Sequence, residues 1–447
     1  MYLLSLAERC CPRFFRPVLD RVNNSPIGKR IAAGALWSIL GTGLAKLLIF
    51  ISMILVAKIL GKTLFGEFGL VRSTAMTFVT FSSFGMGVTA TKHIAELLQT
   101  DKERAGRIIG LSYLFTIVVS LIVSIAFYLM VPRLCTEFLE KPHLIDVMRL
   151  GAVLLFFSTI TGTQVSVMAG FQDFRGLAAA NIIGGLCLAP VYVFGAYFGG
   201  LWGVIGAAIL AILLNLAINS GFIFLNTRKH RVRYDFSQAY RELPILWKSN
   251  IPIVLYAVIH ALGLWSIQLM LASQTKGTEE LGGYYVAVNF QIVMLFLTQQ
   301  ITPVFLPVLT ELNAQNKTDR FWKVARKGSG VILLASLASA IPFLVFSRNF
   351  MQLVGAEFVE GATALQAACI ASITGTLSFF VHQILFSKGR NWTQLVVTMV
   401  ATSAFVGATA LFLSFQWGAA SLFLGQAVGS LVSMTMVLTW LAWLERK

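Results

Sequence analysis

The stretch Gly43–Ser73 reads GLAKLLIFISMILVAKILGKTLFGEFGLVRS. From Gly43 to Leu60 every residue is apolar or small except Lys46, Ser52 and Lys58. A helix needs roughly 18 or more such residues to cross a bilayer. After the turn residues Gly61–Lys62 the apolar character resumes and continues past Arg72. The stretch therefore reads as two membrane-crossing helices joined by a tight turn, with one cation deep inside the first.

Working outward, about a dozen such runs fill the chain, at roughly 31–60, 66–95, 106–131, 148–169, 176–198, 202–225, 248–273, 283–311, 328–346, 361–386, 393–415 and 418–444. The chain is 57% hydrophobic and 12% charged, half the charge of an ordinary soluble domain. A soluble globular protein is excluded. Barrel strands alternate apolar and polar residues over about ten positions, so these longer continuous runs predict an all-α polytopic membrane protein. No cleavable signal peptide is expected, because the first residues carry several arginines and lack a clean apolar core. The five cysteines suggest no disulfide framework; Cys10 and Cys11 are juxtamembrane candidates for acylation.

Lysine and arginine set the orientation. With the N-terminus in the cytoplasm, 26 of the 35 cations fall on that side and eight on the other. Lys46 belongs to neither. Both termini are thus expected to be cytoplasmic. The loop cations, and most of the net charge of +16, read as topology signals and contacts with anionic membrane lipids; no nucleic-acid partner is called for.

The chain also looks doubled. A shift of about 216 residues lays run on run, with LFGEFGLV at 64–71 facing ELGGYYVA at 280–287. The predicted organisation is a basic N-terminal segment (1–30), a first half of six helices (31–225), a basic linker (226–247) and a second half of six helices (248–447). Paired bundles of this kind suggest a transporter with its cavity between the halves.

Lys46 lies near the middle of its run, where a cation costs about 2.5–3.5 kcal/mol even on lenient scales. No Asp or Glu lies centrally in any run to neutralise it. The functional reading is a ligand contact; the plain alternatives are backbone carbonyls or a depressed pKa. Arg72 falls in the second turn of the next run, near the outer interface, at the head of a hydroxyl-rich series that Lys92 closes. Arg binds phosphate as a fork and Lys as a point charge, so this face suits an anionic, hydroxylated ligand. The second half offers neutral groups instead: His260, Gln268, Asn289, Gln299, Gln300 and His382. They suit a sugar or a wet cavity, and equally suit interhelical hydrogen bonds. Phosphate-binding loops, metal-ligand spacings and nucleophile elbows are absent, so neither metal nor cofactor is expected.

The segment LVAKILGKTLFGEFGLVRSTAMTFVTFSSFGMGVTATKHIAE resembles the first helix pair of the bacterial polysaccharide flippases, the O-antigen and capsule exporters. The resemblance rests on Leu60-Gly61, Phe65-Gly66-Glu67-Phe68, Arg72-Ser73 and Phe84-Gly85. That family belongs to the multidrug/oligosaccharidyl-lipid/polysaccharide superfamily. The resemblance implies a V of two six-helix lobes working by alternating access, with a cationic cavity for an undecaprenyl-diphosphate oligosaccharide, and possible work beside a polysaccharide polymerase in the bacterial inner membrane. It also implies phosphate or acidic-sugar contacts for Lys46 and Arg72. The second half departs from it by having few membrane cations. The competing readings are a multidrug–cation antiporter of the same superfamily, which needs central carboxylates, and a membrane polymerase or ligase, which needs a large outer loop. A scaffold would not require Lys46.

Overall fold

The computed structural model describes residues 26–83, 85–236, 238–242 and 251–445. The N-terminal stretch holding Cys10 and Cys11, and the linker residues 237 and 243–250, lie outside them. The described residues are almost wholly helical, and ten helices are long and apolar enough to cross a membrane. Two of these are too long for one crossing. Pro26–Ser83 leaves helical geometry at Gly61 (φ 76°, ψ 171°), and the 57-residue helix Phe174–His230 does so at Gly200 (φ 52°, ψ −132°). Each folds back there, and ten helices become twelve passes, as the sequence predicts.

The helices are α1 (26–60), α2 (62–83), α3 (Met86–Leu97), α4 (Lys102–Arg133), α5 (Ile145–Gly170), α6 (174–199), α7 (201–230), α8 (Ile251–Ala272), α9 (Gly277–Ala314), α10 (Thr318–Val345), α11 (Ser347–Val354), α12 (Ala362–Ser387), α13 (Asn391–Ser414) and α14 (Ala420–Glu445). α2 and α3 are one pass, broken at left-handed Gly85 (φ 71°).

The turn at Gly61 is tighter than expected, since α2 resumes at residue 62 rather than 66. Contacts with α9 show the reversal. Going along α1, Gly43 meets Phe296, Phe50 meets Phe290 and Lys62 meets Gly282. Along α2 the order inverts, with Gly66 against Thr278 and Gly69 against Tyr285. Such close approach needs residues without side chains. A Cβ on Gly66 would run into the Thr278 carbonyl, and one on Gly282 into the Lys62 carbonyl. In the other hairpin, α6 and α7 touch backbone to backbone at Gly195 and Gly203.

Helices α1–α7 form one half and α8–α14 the other. Among the described residues, every substantial contact between them runs through α1 and α2, against α8, α9, α11 and the turn Ala356–Gly361. The end bearing Gly61 is called outer here, after the charge bias. There Lys62 Nζ pairs with Glu360 at 3.2 Å, Lys141 Nζ donates to the Ala272 carbonyl at 3.0 Å, and His143 meets Glu67 at 2.8 Å. Lys62 was expected to be solvated or at lipid headgroups. It is instead buried, and its pairing across the halves explains why.

The described part of the basic linker packs on the first half. Asp235 N–H donates to the Gly106 carbonyl at 3.4 Å, Tyr234 meets Tyr113 edge to face, and buried Glu242 accepts from Arg104 and Arg107. The strap residues 232–236 and 238–242 are thereby held on the first turns of α4.

Candidate functional site

Lys46 points toward the second half. Its Nζ donates to Gln299 Oε1 on α9 at 3.4 Å and lies 5.5 Å from the centre of the Phe296 ring. An amide oxygen and an aromatic face together stabilise the ammonium without neutralising it. No carboxylate pairs with it among the described residues.

Arg72 sits deeper than expected. With α2 beginning at residue 62, it lies eleven residues past Gly61, about 16 Å along the helix at 1.5 Å per residue. Lys46 lies fifteen residues before Gly61, about 22 Å by the same rise. The two cations, on antiparallel neighbours, therefore sit about 6 Å apart in depth. Arg72 is exposed and within electrostatic reach of Tyr192 on α6 and Tyr285 on α9. Among the described residues it too has no carboxylate partner.

Beside Arg72 a short hydrogen-bond chain ties the halves together. Tyr285 Oη donates to Gln268 Oε1 at 3.1 Å. Ser73 Oγ lies 2.8 Å from the same Tyr285 hydroxyl and 3.1 Å from the Leu70 carbonyl, and its one proton serves one of the two. Trp265 Nε1 adds a bond to Thr74 at 3.1 Å. Gln268 is thus a bridge within this chain rather than an open ligand group. Asn289 donates to the Tyr285 carbonyl one turn back, at 2.8 Å. Gln300 is half-buried and lines neither of the two cavities described below. Lys92 is exposed on α3 and lines neither cavity.

His260, Gln299 and His382 do come together. They line a cavity of about 270 Å³ in the second half, built by α8, α9, α12, α13 and α14. Gln291, Thr298, Thr302, Thr398, Thr402 and Gln426 add to its polar wall. Neither Gln291 nor Gln426 is among the residues that the sequence singles out. The threonines were legible only as i, i+4 pairs, at 298/302 and 398/402, which put both hydroxyls on one helix face. A second cavity, of about 290 Å³, is lined by first-half hydroxyls of Thr80, Ser83, Ser158, Thr159, Thr163 and Ser166 and closed by Val254 and Ala257 of α8. It opens where α2 breaks before Gly85.

Twelve passes in two bundles that meet along α1–α2 and α8–α9 make up a transporter fold of the multidrug/oligosaccharidyl-lipid/polysaccharide type. Solved structures bear this out. An inward-facing multidrug resistance MATE family transporter of the MOP superfamily superposes with a TM-score of 0.74 over 92% of this chain and 97% of its own, at 14% identity. The lipid II flippase MurJ, in an inward closed conformation, gives 0.71 over 91% and 87%, at 13% identity. At these identities the likeness shows the fold. The sequence narrows the family further. Residues 31–313 match the model of the family described as polysaccharide biosynthesis protein, and the chain belongs to that family. A curated relative is the EPS I polysaccharide export inner membrane protein EpsE of Ralstonia nicotianae, 23% identical over 398 residues, covering 86% of this chain and 88% of EpsE. The chain is therefore a multi-pass membrane protein of the polysaccharide biosynthesis protein family.

Proposed function

We propose that this protein flips an undecaprenyl-diphosphate-linked oligosaccharide from the cytoplasmic to the outer leaflet of the bacterial inner membrane, for surface polysaccharide biosynthesis. Its two six-helix halves, divided at the linker 226–247, alternate access to the space between them, and no bond of the cargo is broken. The observation that carries this reading is the pair Lys46 and Arg72. Both lie between the halves at similar depth, and neither has a carboxylate partner among the described residues. Two unneutralised cations inside a membrane are costly, and a diphosphate moving between the halves would offset that cost. Support for the cargo class comes from family membership and from the export role in EpsE's name. Support for both termini being cytoplasmic comes from the Lys and Arg bias. In this reading Gln299 presents Lys46, and the hydroxyl-lined cavity of the first half faces the glycan. A multidrug–cation exporter shares the fold but would need a carboxylate where these cations sit. A polymerase beside the flippase would take up the delivered repeat units.

The test is complementation of a flippase-deficient strain carrying the cognate sugar cluster, scored by surface polysaccharide at matched membrane levels. Wild type and Lys46→Arg are expected to restore export, and Lys46→Ala and Arg72→Ala to lose it. Normal export by both alanine variants would remove the cations from the mechanism. Failure of the wild type would overturn the cargo assignment.

A further inference from the structure

The cavity of the second half contains two histidines and no carboxylate. His382 Nε2 lies 2.6 Å from Ser433 Oγ, while its Nδ1 is buried without a hydrogen-bond partner. His260 stacks on Tyr256, with ring centres 6.4 Å apart and planes 11° apart. The same Tyr256 meets His382 edge-on at 6.5 Å. One phenol ring thus stands between two imidazoles, and one imidazole nitrogen is left over.

A buried polar atom without a partner calls for an explanation. Three kinds of ligand can be weighed by chemistry. A transition metal would need a third His, Cys, Asp or Glu, and no such trio exists among the described residues. An alkali cation takes oxygen ligands, which the amides and hydroxyls of the wall supply, but a hard cation that prefers oxygen leaves the unpartnered imidazole nitrogen unexplained. A proton needs only a free imidazole nitrogen. We propose that this cavity binds a single proton, shared between His260 and His382, and that Gln299 links its occupancy to Lys46.

The charges around the site explain why one proton enters and not two. The groups facing the histidines from α9, α13 and α14 are neutral: Gln291, Gln299, Thr398, Thr402, Gln426 and Ser433. Tyr256 is the remaining titratable group of the wall. Lys388 and Arg390, beyond the inner end of α12, lie over Phe321 and Trp440. Among the described residues, Lys46 is the cation hydrogen-bonded to the wall, through Gln299 Oε1. A proton on one imidazole opposes a second on its neighbour, and the Lys46 ammonium opposes both. An anion bound at Lys46 would lift that opposition, so cargo and proton would favour each other's binding. By reciprocity the proton would strengthen anion binding by the same factor. The proton site itself does not depend on the cargo assignment; only its coupling to an anion rests on the function proposed above.

The experiment is NMR of ¹⁵N-histidine-labelled protein in lipid nanodiscs, titrated from about pH 8 to about pH 4. The chain has five histidines, and His260→Gln and His382→Gln assign the two signals. One shared protonation is expected across the pair. Removing His260 should raise the His382 midpoint by about one pH unit, the size expected of coupled sites, and Lys46→Met should raise it in the same direction. His260 makes only ring contacts here, so His260→Gln carries the test even if His382→Gln does not fold. Two rings that stay neutral throughout, or that titrate with midpoints unmoved by His260→Gln and Lys46→Met, would overturn the proposal. The result is separable from the export assay. Coupled titration in a protein that restores no export leaves the proton site standing and removes the cargo; export without coupled titration does the reverse.

Discussion

Lys46 shows how a residue can be unavoidable in sequence and still undefined in role. Hydropathy places it in the membrane; only Gln299 and Phe296 show which way it points. Losing a charge-assisted hydrogen bond to cargo costs about 1.5–3 kcal/mol, or roughly tenfold to a hundredfold in binding. Lys46→Ala is therefore expected to cut export at limiting cargo by at least about tenfold on that scale. Gln299→Leu leaves the ammonium but removes its tether. Its expected effect is smaller than that of Lys46→Ala, and dose–response of surface polysaccharide against membrane level distinguishes the two. A Gln299→Leu defect equal to that of Lys46→Ala would mean that the amide, not the ammonium, meets the cargo.

At the scale of elements, the glycines of the α1–α2 hairpin carry the fold. Gly61, at φ 76° and ψ 171°, occupies a region essentially reserved for glycine, where other residues are strained by about 1–3 kcal/mol. Gly66 and Gly282 instead leave room for backbone carbonyls of the facing helix. Alanine favours a helix over glycine by up to about 1 kcal/mol, but a collision with backbone costs about 1–3 kcal/mol and wins. Gly61→Ala, Gly66→Ala and Gly282→Ala should each lower the thermal midpoint in detergent. Gly162→Ala, which meets open space, should hold or raise it. A uniform response across all four would show that backbone approach is not what these glycines provide. The strap residues 238–242 make a separate prediction. Glu242 is nearly buried between Arg104 and Arg107, so Glu242→Gln should speed protease cleavage of the linker in inside-out vesicles. Unchanged cleavage would mean that the backbone and Tyr113–Tyr234 contacts suffice.

At the scale of the whole molecule, the outer end is held by contacts that cross between the halves. The Lys62–Glu360 pair is unequal, with side-chain exposures of 9% and 85%. An exposed partner makes such a pair worth little to folding, yet it can still bias which end of the molecule is open. Joining Lys62→Cys to Glu360→Cys with a short thiol cross-linker, after replacing exposed Cys187, should stop export while leaving the protein folded. A reducible cross-linker should restore export when cleaved. Export that continues through the cross-link would show that the halves need not part at this end.

What the sequence determined alone was set by local physics. Continuous apolar runs fix the membrane class, and glycine turns and run lengths fix twelve passes, because each signal is read within one helix or one loop. Family membership was legible for the same reason, in some forty neighbouring residues. The tertiary structure decided what depends on partners far along the chain. It chose Gln299 over Gln300 for Lys46, a contact spanning 253 residues, since adjacent helical residues face about 100° apart. It moved Arg72 inward by closing the turn to a single glycine. It buried Lys62 against a carboxylate from the other half, and it gathered His260 and His382, on helices that hydropathy alone could not place side by side, around one cavity. Hydrophobicity selects the medium for each helix; only packing between helices selects neighbours, because every face of a membrane helix is apolar enough to meet lipid.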